Sequence, residues 1–183
     1  MKDNVLLFPG WMQDSCLYGD YNCFNLWDKK YIEPSKTSVK YLLGHSMGSY
    51  PALLSWQKNP DATVILFNPL INRIGPIKII YKFIVMMFVS PGSIKAWKGS
   101  VKWKYLLIAI KNAILFRKID ILKIIKEIPR GKLIIIKGKD DKYFCDVAAV
   151  VTLCNSKIGF IELADTNHFW SPQVDNLVEQ LIK

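Results

Sequence analysis

Leu42-Leu43-Gly44-His45-Ser46-Met47-Gly48-Ser49 is the stretch on which the reading of this chain turns. It contains a G-x-S-x-G pentapeptide, Gly44 to Gly48, preceded by an apolar run, Val39 to Leu43, and followed by an apolar segment, Ala52 to Trp56. Five residues match by chance in many proteins; a buried strand before and a helix after give the match its meaning. A serine on a sharp strand-to-helix turn takes dihedrals that side chains disfavour, with neighbouring backbone very close. Gly44 and Gly48 remove the Cβ atoms that would collide there. Such a turn lifts the Ser46 hydroxyl clear of the sheet and aims the Met47 amide at the same point. The plain alternative is a glycine-rich turn holding an ordinary serine.

A nucleophilic serine needs a base, and the chain has two histidines, His45 and His168. His45 adjoins the serine, but successive residues of a tight turn point in different directions, so it is expected to pack beside the elbow. That leaves His168, in the polar loop Asp165-Thr166-Asn167-His168-Phe169-Trp170 after a strand-like run from Lys157 to Leu163. A third group should orient that imidazole and stabilise its cation. Lys132 to Gly138 reads as a buried strand, and Lys139-Asp140-Asp141 follows at its carboxyl end. On position alone either Asp140 or Asp141 fits, the other being a solvated turn residue. Serine, aspartate and histidine in that order, each after an expected strand, are more specific than any one of them.

These residues resemble the α/β-hydrolases. That family often has a glycine three residues before its aspartate; Gly138-Lys139-Asp140-Asp141 matches with Asp141, which the resemblance therefore favours over Asp140. It also carries an oxyanion loop after an early strand, and Val5-Leu6-Leu7-Phe8-Pro9-Gly10-Trp11 occupies that place, with Pro9 where a histidine is usual. The resemblance implies that the backbone amides of Trp11 and Met47 receive the developing oxyanion, and that no metal or organic cofactor is required. It also implies a trimmed α/β fold, because the two antiparallel strands that usually open the family are missing.

At 183 residues one domain is expected. Its four cysteines, Cys16, Cys23, Cys145 and Cys154, show no C-x-x-C spacing, and both histidines are placed elsewhere, so neither a zinc site nor a disulfide framework is expected. Reduced thiols, with Asp3 where a signal peptide avoids acid, suggest a cytoplasmic protein. Strands are expected at Asn4 to Phe8, near Tyr21 to Leu26, at Val39 to Leu43, Thr63 to Phe67, Leu133 to Lys137 and Lys157 to Leu163. A short helix is expected between Met12 and Ser38. Further helices are expected after the elbow, at Cys145 to Leu153, and at Pro172 to Ile182, where Ser171-Pro172 supplies the cap and first turn. Alternation of strands and helices implies a mostly parallel sheet with helices on both faces.

Residues 70–130 differ from the rest. They carry thirteen basic residues against Asp120 and Glu127, a charge of +11, while the remainder sums to −1. The segment is also apolar: Ile77 to Val89 has eleven apolar residues in thirteen, Trp103, Leu106, Leu107, Ile110 and Ile114 follow a helical period, and so do Ile121, Ile124, Ile125 and Ile128. It reads as two or three amphipathic helices inserted as a cap over the carboxyl end of the sheet. Three partners could use it. A membrane surface suits basic amphipathic helices with tryptophan. Nucleic acid suits the charge, but the basic residues interleave with aliphatics in no reading motif, so none is expected. An acidic protein bearing an acyl chain would be steered by charge and held by the apolar interior. The third reading joins a narrower resemblance to the compact esterases of biotin synthesis, which cleave the methyl ester of pimeloyl-acyl carrier protein. It implies an acidic acyl carrier protein as partner, with Arg73, Lys78, Lys95, Lys102, Lys111 and Arg117 as contact candidates. A general carboxylesterase or lipase at a membrane surface, and a hydrolase-like protein that only binds, are the competing readings.

Overall fold

Strands with apolar side chains at every position are buried on both faces, and that pattern builds the centre of this protein. The computed structural model describes residues 2–27, 38–71, 76–89, 101–142, 145 and 158–183. Six strands form one sheet: β1 (Lys2–Phe8), β2 (Tyr21–Cys23), β3 (Tyr41–His45), β4 (Thr63–Phe67), β5 (Leu133–Gly138) and β6 (Gly159–Leu163), in the order β2-β1-β3-β4-β5-β6. Every neighbouring pair is parallel. Within each strand successive side chains go to opposite faces. Leu6, Phe8, Leu42, Val64, Leu66, Leu133 and Ile135 join one buried cluster. Val5, Leu7, Leu43, Ile65, Phe67 and Ile136 join the other.

Helix α1 (Ser49–Lys58) covers the first face, through Ala52, Leu53 and Trp56. It begins three residues earlier than the apolar segment suggested, because the 3-10 turn Ser46–Gly48 feeds straight into it. The last helix, which we label α5 (Pro172–Leu181), covers the second face with Val174 and Val178. The Ser171 hydroxyl accepts a hydrogen bond from the Val174 amide at 3.4 Å, and Pro172 sits in the first turn, where a missing N–H costs nothing. The expected helix at Cys145 to Leu153 lies outside the described residues, apart from Cys145, which is buried.

The basic segment contributes α2 (Pro76–Val89), α3 (Leu106–Phe116) and α4 (Ile121–Glu127). Asp120 caps α4 by accepting from the Lys123 amide at 3.2 Å, and Ile121, Ile124, Ile125 and Ile128 enter the cluster under α1. The chain entering α3 is tied to the loop after β1, where the Lys102 amide donates to the Met12 carbonyl at 3.0 Å. Within α3 the sequence pattern misleads. Trp103, Leu107, Ile110 and Ile114, expected as the packing stripe, are exposed. The packed face is Ala109, Asn112 and Phe116, with Tyr105 just before it. Asn112 is buried because its amide donates to the Leu26 carbonyl at 2.7 Å, and Phe116 stacks on Tyr50 of α1 at 5.6 Å. Among the described residues no helix is long and apolar enough to cross a membrane.

Candidate active site

A parallel sheet sends all its strands the same way, so the residues following β1, β3, β4, β5 and β6 gather at one edge. Ser46 follows β3 with a φ of 52°, in the left-handed region. A Cβ on Gly48 would collide with the Phe8 carbonyl and stand 2.7 Å from that of Pro9; one on Gly44 would stand 2.8 Å from Ser49 Cα. Gly48 therefore allows the loop after β1, which carries Trp11, to lie directly against the turn that carries Ser46 and Met47, while Gly44 allows the start of α1 to pack closely on β3.

His168 reaches back across the same edge. Its Nε2 is 2.8 Å from Ser46 Oγ, and its Nδ1 is 2.7 Å from Asp141 Oδ2. A carboxylate only accepts, so Nδ1 carries the proton and Nε2 presents its lone pair to the serine hydroxyl. Asp141 is 1 % exposed, whereas Asp140 faces solvent. The turn after β5 makes that choice. The Asp141 amide donates to the Gly138 carbonyl at 3.0 Å, and the Asp140 amide donates to the Thr166 carbonyl of the histidine loop at 3.0 Å. A Cβ on Gly138 would stand 2.9 Å from the Thr166 carbonyl carbon, so the glycine permits the two loops to touch.

Two further residues hold this arrangement and were not singled out from the sequence as doing so. Asn68, at φ 44° after β4, donates through Nδ2 to the Asn167 carbonyl at 2.8 Å and accepts from the Gly138 amide at 2.7 Å. Its Asn68-Pro69 dipeptide signalled only a strand end, although asparagine is the non-glycine residue that best tolerates this backbone. Tyr18 lies beneath the loop after β1. Its hydroxyl accepts from the Gly10 amide at 2.8 Å, and its own proton faces two acceptors, Gln13 Oε1 at 2.5 Å and His45 Nδ1 at 2.8 Å.

His45 is fully buried beside the elbow, ringed by Tyr18, Phe67 and Trp170. Its Nε2 is 2.8 Å from the His168 carbonyl, which can only accept, so Nε2 carries the proton and Nδ1 is free to accept. Burial, and secondarily the neighbouring His168, push its pKa down to about 3, so the ring is neutral at neutral pH. It thus joins the loop after β1, through Tyr18, to the backbone of His168.

Of the six basic contact candidates, Lys111 and Arg117 are exposed and Lys102 is half-buried. Arg73, Lys95 and the Lys78 side chain lie outside the described residues. Among the described residues no group of three His, Cys, Asp or Glu side chains could hold a metal ion.

No family model matches the sequence, and no curated protein matches it either. Solved structures do. A lipase-esterase related protein from Clostridium acetobutylicum ATCC 824 superposes with a TM-score of 0.65 at 17 % identity, covering 97 % of this chain and 92 % of that one. A thermophilic esterase from Thermogutta terrifontis gives 0.63 at 13 % identity, over 97 % and 88 %. An alpha/beta hydrolase family protein from Desulfitobacterium hafniense gives 0.62 at 12 % identity, over 98 % and 95 %. The chain has the α/β-hydrolase fold. Within an α/β-hydrolase fold, Ser46, Asp141 and His168 stand after the strands β3, β5 and β6, in the chain order serine, aspartate, histidine.

Proposed function

We propose that the protein is a serine hydrolase of carboxylic esters working through an acyl-enzyme on Ser46. The observation that carries this is the unbroken line Ser46 Oγ, His168 Nε2, His168 Nδ1, Asp141 Oδ2, with contacts of 2.8 and 2.7 Å, centred on a serine in a left-handed backbone. His168 takes the Ser46 proton as Ser46 Oγ attacks the ester carbonyl. Asp141 holds the imidazole in the required tautomer and stabilises its cation. The amides of Trp11 and Met47 receive the negative oxygen, at roughly a hundredfold or more in rate per donor. The leaving alkoxide takes the proton from His168 and departs as the alcohol. Water then gives a proton to His168 as it attacks the acyl-enzyme, and His168 returns that proton to Ser46 Oγ as the carboxylic acid leaves. No cofactor takes part in this sequence. Labelling of Ser46 by a fluorophosphonate, together with turnover of a short p-nitrophenyl ester, tests the reading; a folded protein showing neither would leave only the binding-protein alternative.

In this reading residues 70–130 serve as a cap in a cytoplasmic enzyme. The finer assignment, the methyl ester of pimeloyl-acyl carrier protein, is supported by the +11 charge of that segment, which suits an acidic carrier. Mass spectrometry of that substrate with and without enzyme decides it. A second substrate class, esters residing in a membrane, is favoured by a different observation: the outward aliphatic side chains of α3.

A further inference from the structure

Helix α3 has two apolar faces. Ala109 and Phe116 pack inward. On the opposite side Leu107, Ile110 and Ile114 follow one another at i, i+3 and i+7, within about 60° of arc at 3.6 residues per turn. They are 73 %, 40 % and 52 % exposed, and Trp103 extends the same line one turn earlier. Lys104, Lys111 and Lys118, spaced seven apart and all exposed, flank the line on one side, with the exposed Arg117 near its end. Helix α2 repeats the theme, since Tyr81, Ile84 and Phe88 are exposed at i, i+3 and i+7. From Pro76 to Ile119 the sequence has nine basic residues and no acidic one.

Charge alone would serve an acidic protein or a nucleic acid, but either would leave the aliphatic line in water or against a polar surface. An anionic bilayer accepts both parts at once. Aliphatic side chains sink to the acyl boundary while lysines keep their ammonium groups among the phosphates. An eleven-residue helix is about 16 Å long, so it can lie in the interface but not cross it. We propose that the outward face of α3 docks this protein on the surface of an anionic phospholipid bilayer, α3 lying in the interface plane.

The inner face of α3 links that surface to the site. Phe116 stacks on Tyr50, four residues after Ser46, and Lys102 hydrogen bonds to the loop that carries Trp11. A docked α3 would therefore sit one packed helix away from the elbow, in keeping with the second substrate class, esters residing in a membrane. The choice of substrate rests on the hydrolase reading; the docking itself does not.

Co-sedimentation with phosphatidylglycerol or phosphatidylcholine vesicles tests the proposal, with p-nitrophenyl acetate turnover measured in parallel. The protein should partition onto phosphatidylglycerol vesicles at least tenfold better than onto phosphatidylcholine, and less so as salt rises. The combined variant Leu107→Asn, Ile110→Asn, Ile114→Asn should lose at least tenfold in partitioning, as should Lys104→Glu, Lys118→Glu. Both should hydrolyse p-nitrophenyl acetate within twofold of the parent. Should the triple apolar variant fail to fold, Leu107→Asn alone should still weaken partitioning about threefold. Absence of binding to phosphatidylglycerol at low salt, binding untouched by the apolar variants, or preference for an acidic carrier protein over vesicles would overturn the docking. Vesicle binding without ester turnover would sustain the docking and remove the hydrolase assignment.

Discussion

The sheet and the basic helices are equally apolar to the eye, yet their sequences constrain them differently. In β4 every side chain from Val64 to Phe67 is buried, whichever face it takes. A strand buried on both sides has no wrong orientation, so an unbroken aliphatic run suffices to place it. Helix α3 has one side to bury and apolar residues on two. It turns inward the face with the small Ala109, the hydrogen-bonded Asn112 and the large Phe116, and leaves the more aliphatic face outside. Apolar character alone therefore decides burial in the sheet, whereas shape and one buried amide decide it in the helix.

The sharpest way to break this comparison begins where the sheet delivers its chemistry. Ser46→Ala and His168→Ala should each lower kcat by about 10⁴-fold or more in p-nitrophenyl ester assays, with circular dichroism unchanged. A smaller loss in the histidine variant would mean another base. Asp141→Asn should lose roughly 10³–10⁴-fold, since the imidazole loses its orienting acceptor, while Asp140→Asn stays within a few-fold; equal losses would sink the assignment of the buried carboxylate.

Next in size is the contrast within α3 itself. Phe116→Ala removes a stacked, fully buried ring and should destabilise by about 3–5 kcal/mol in urea titrations. Ile114→Ala, two residues away, should stay within about 0.5 kcal/mol. If the two costs were alike, the orientation of the helix would be wrong.

The effect of His45 is absent at neutral pH and shows only on acidification. Its folded-state pKa is about 3 against an ordinary 6.5, so between those values the unfolded chain binds a proton that the folded one does not. Stability gained from the neutral ring is complete above pH 6.5 and drains away as pH falls toward 3, by up to about 1.4 kcal/mol per unit. His45→Gln should flatten this part of the stability profile by about one proton; an unchanged slope would show that the histidine is not buried neutral.

How far the sequence discloses the rest depends on whether a residue acts locally. Gly44, Ser46 and Gly48 were legible because the steric demand lies inside the pentapeptide. Thr63–Phe67 was legible because continuous burial leaves a continuous signature, and Pro172 because the helix start is a local signal. Asn68 and Tyr18 were not, since Asn167 and Gly138 for the one and His45 for the other lie far along the chain, and no spacing encodes the meeting. The outward line of α3 was read as a packing stripe because periodicity reports that a helix has an apolar side, not which neighbour that side meets.

Ser46 and His168 are 122 residues apart, and their hydrogen bond closes across β3, β4, β5 and β6. Nothing local brings them together, and loop-closure entropy must be overcome before that contact contributes any stability. The Ser46–His168 contact is therefore expected to form late in folding. During refolding, tryptophan fluorescence, to which the buried Trp27 and Trp56 contribute, should recover before ester turnover does. A molecule arrested between the two would look folded to an optical probe and be chemically silent, so turnover would report the completed protein more faithfully than any spectrum.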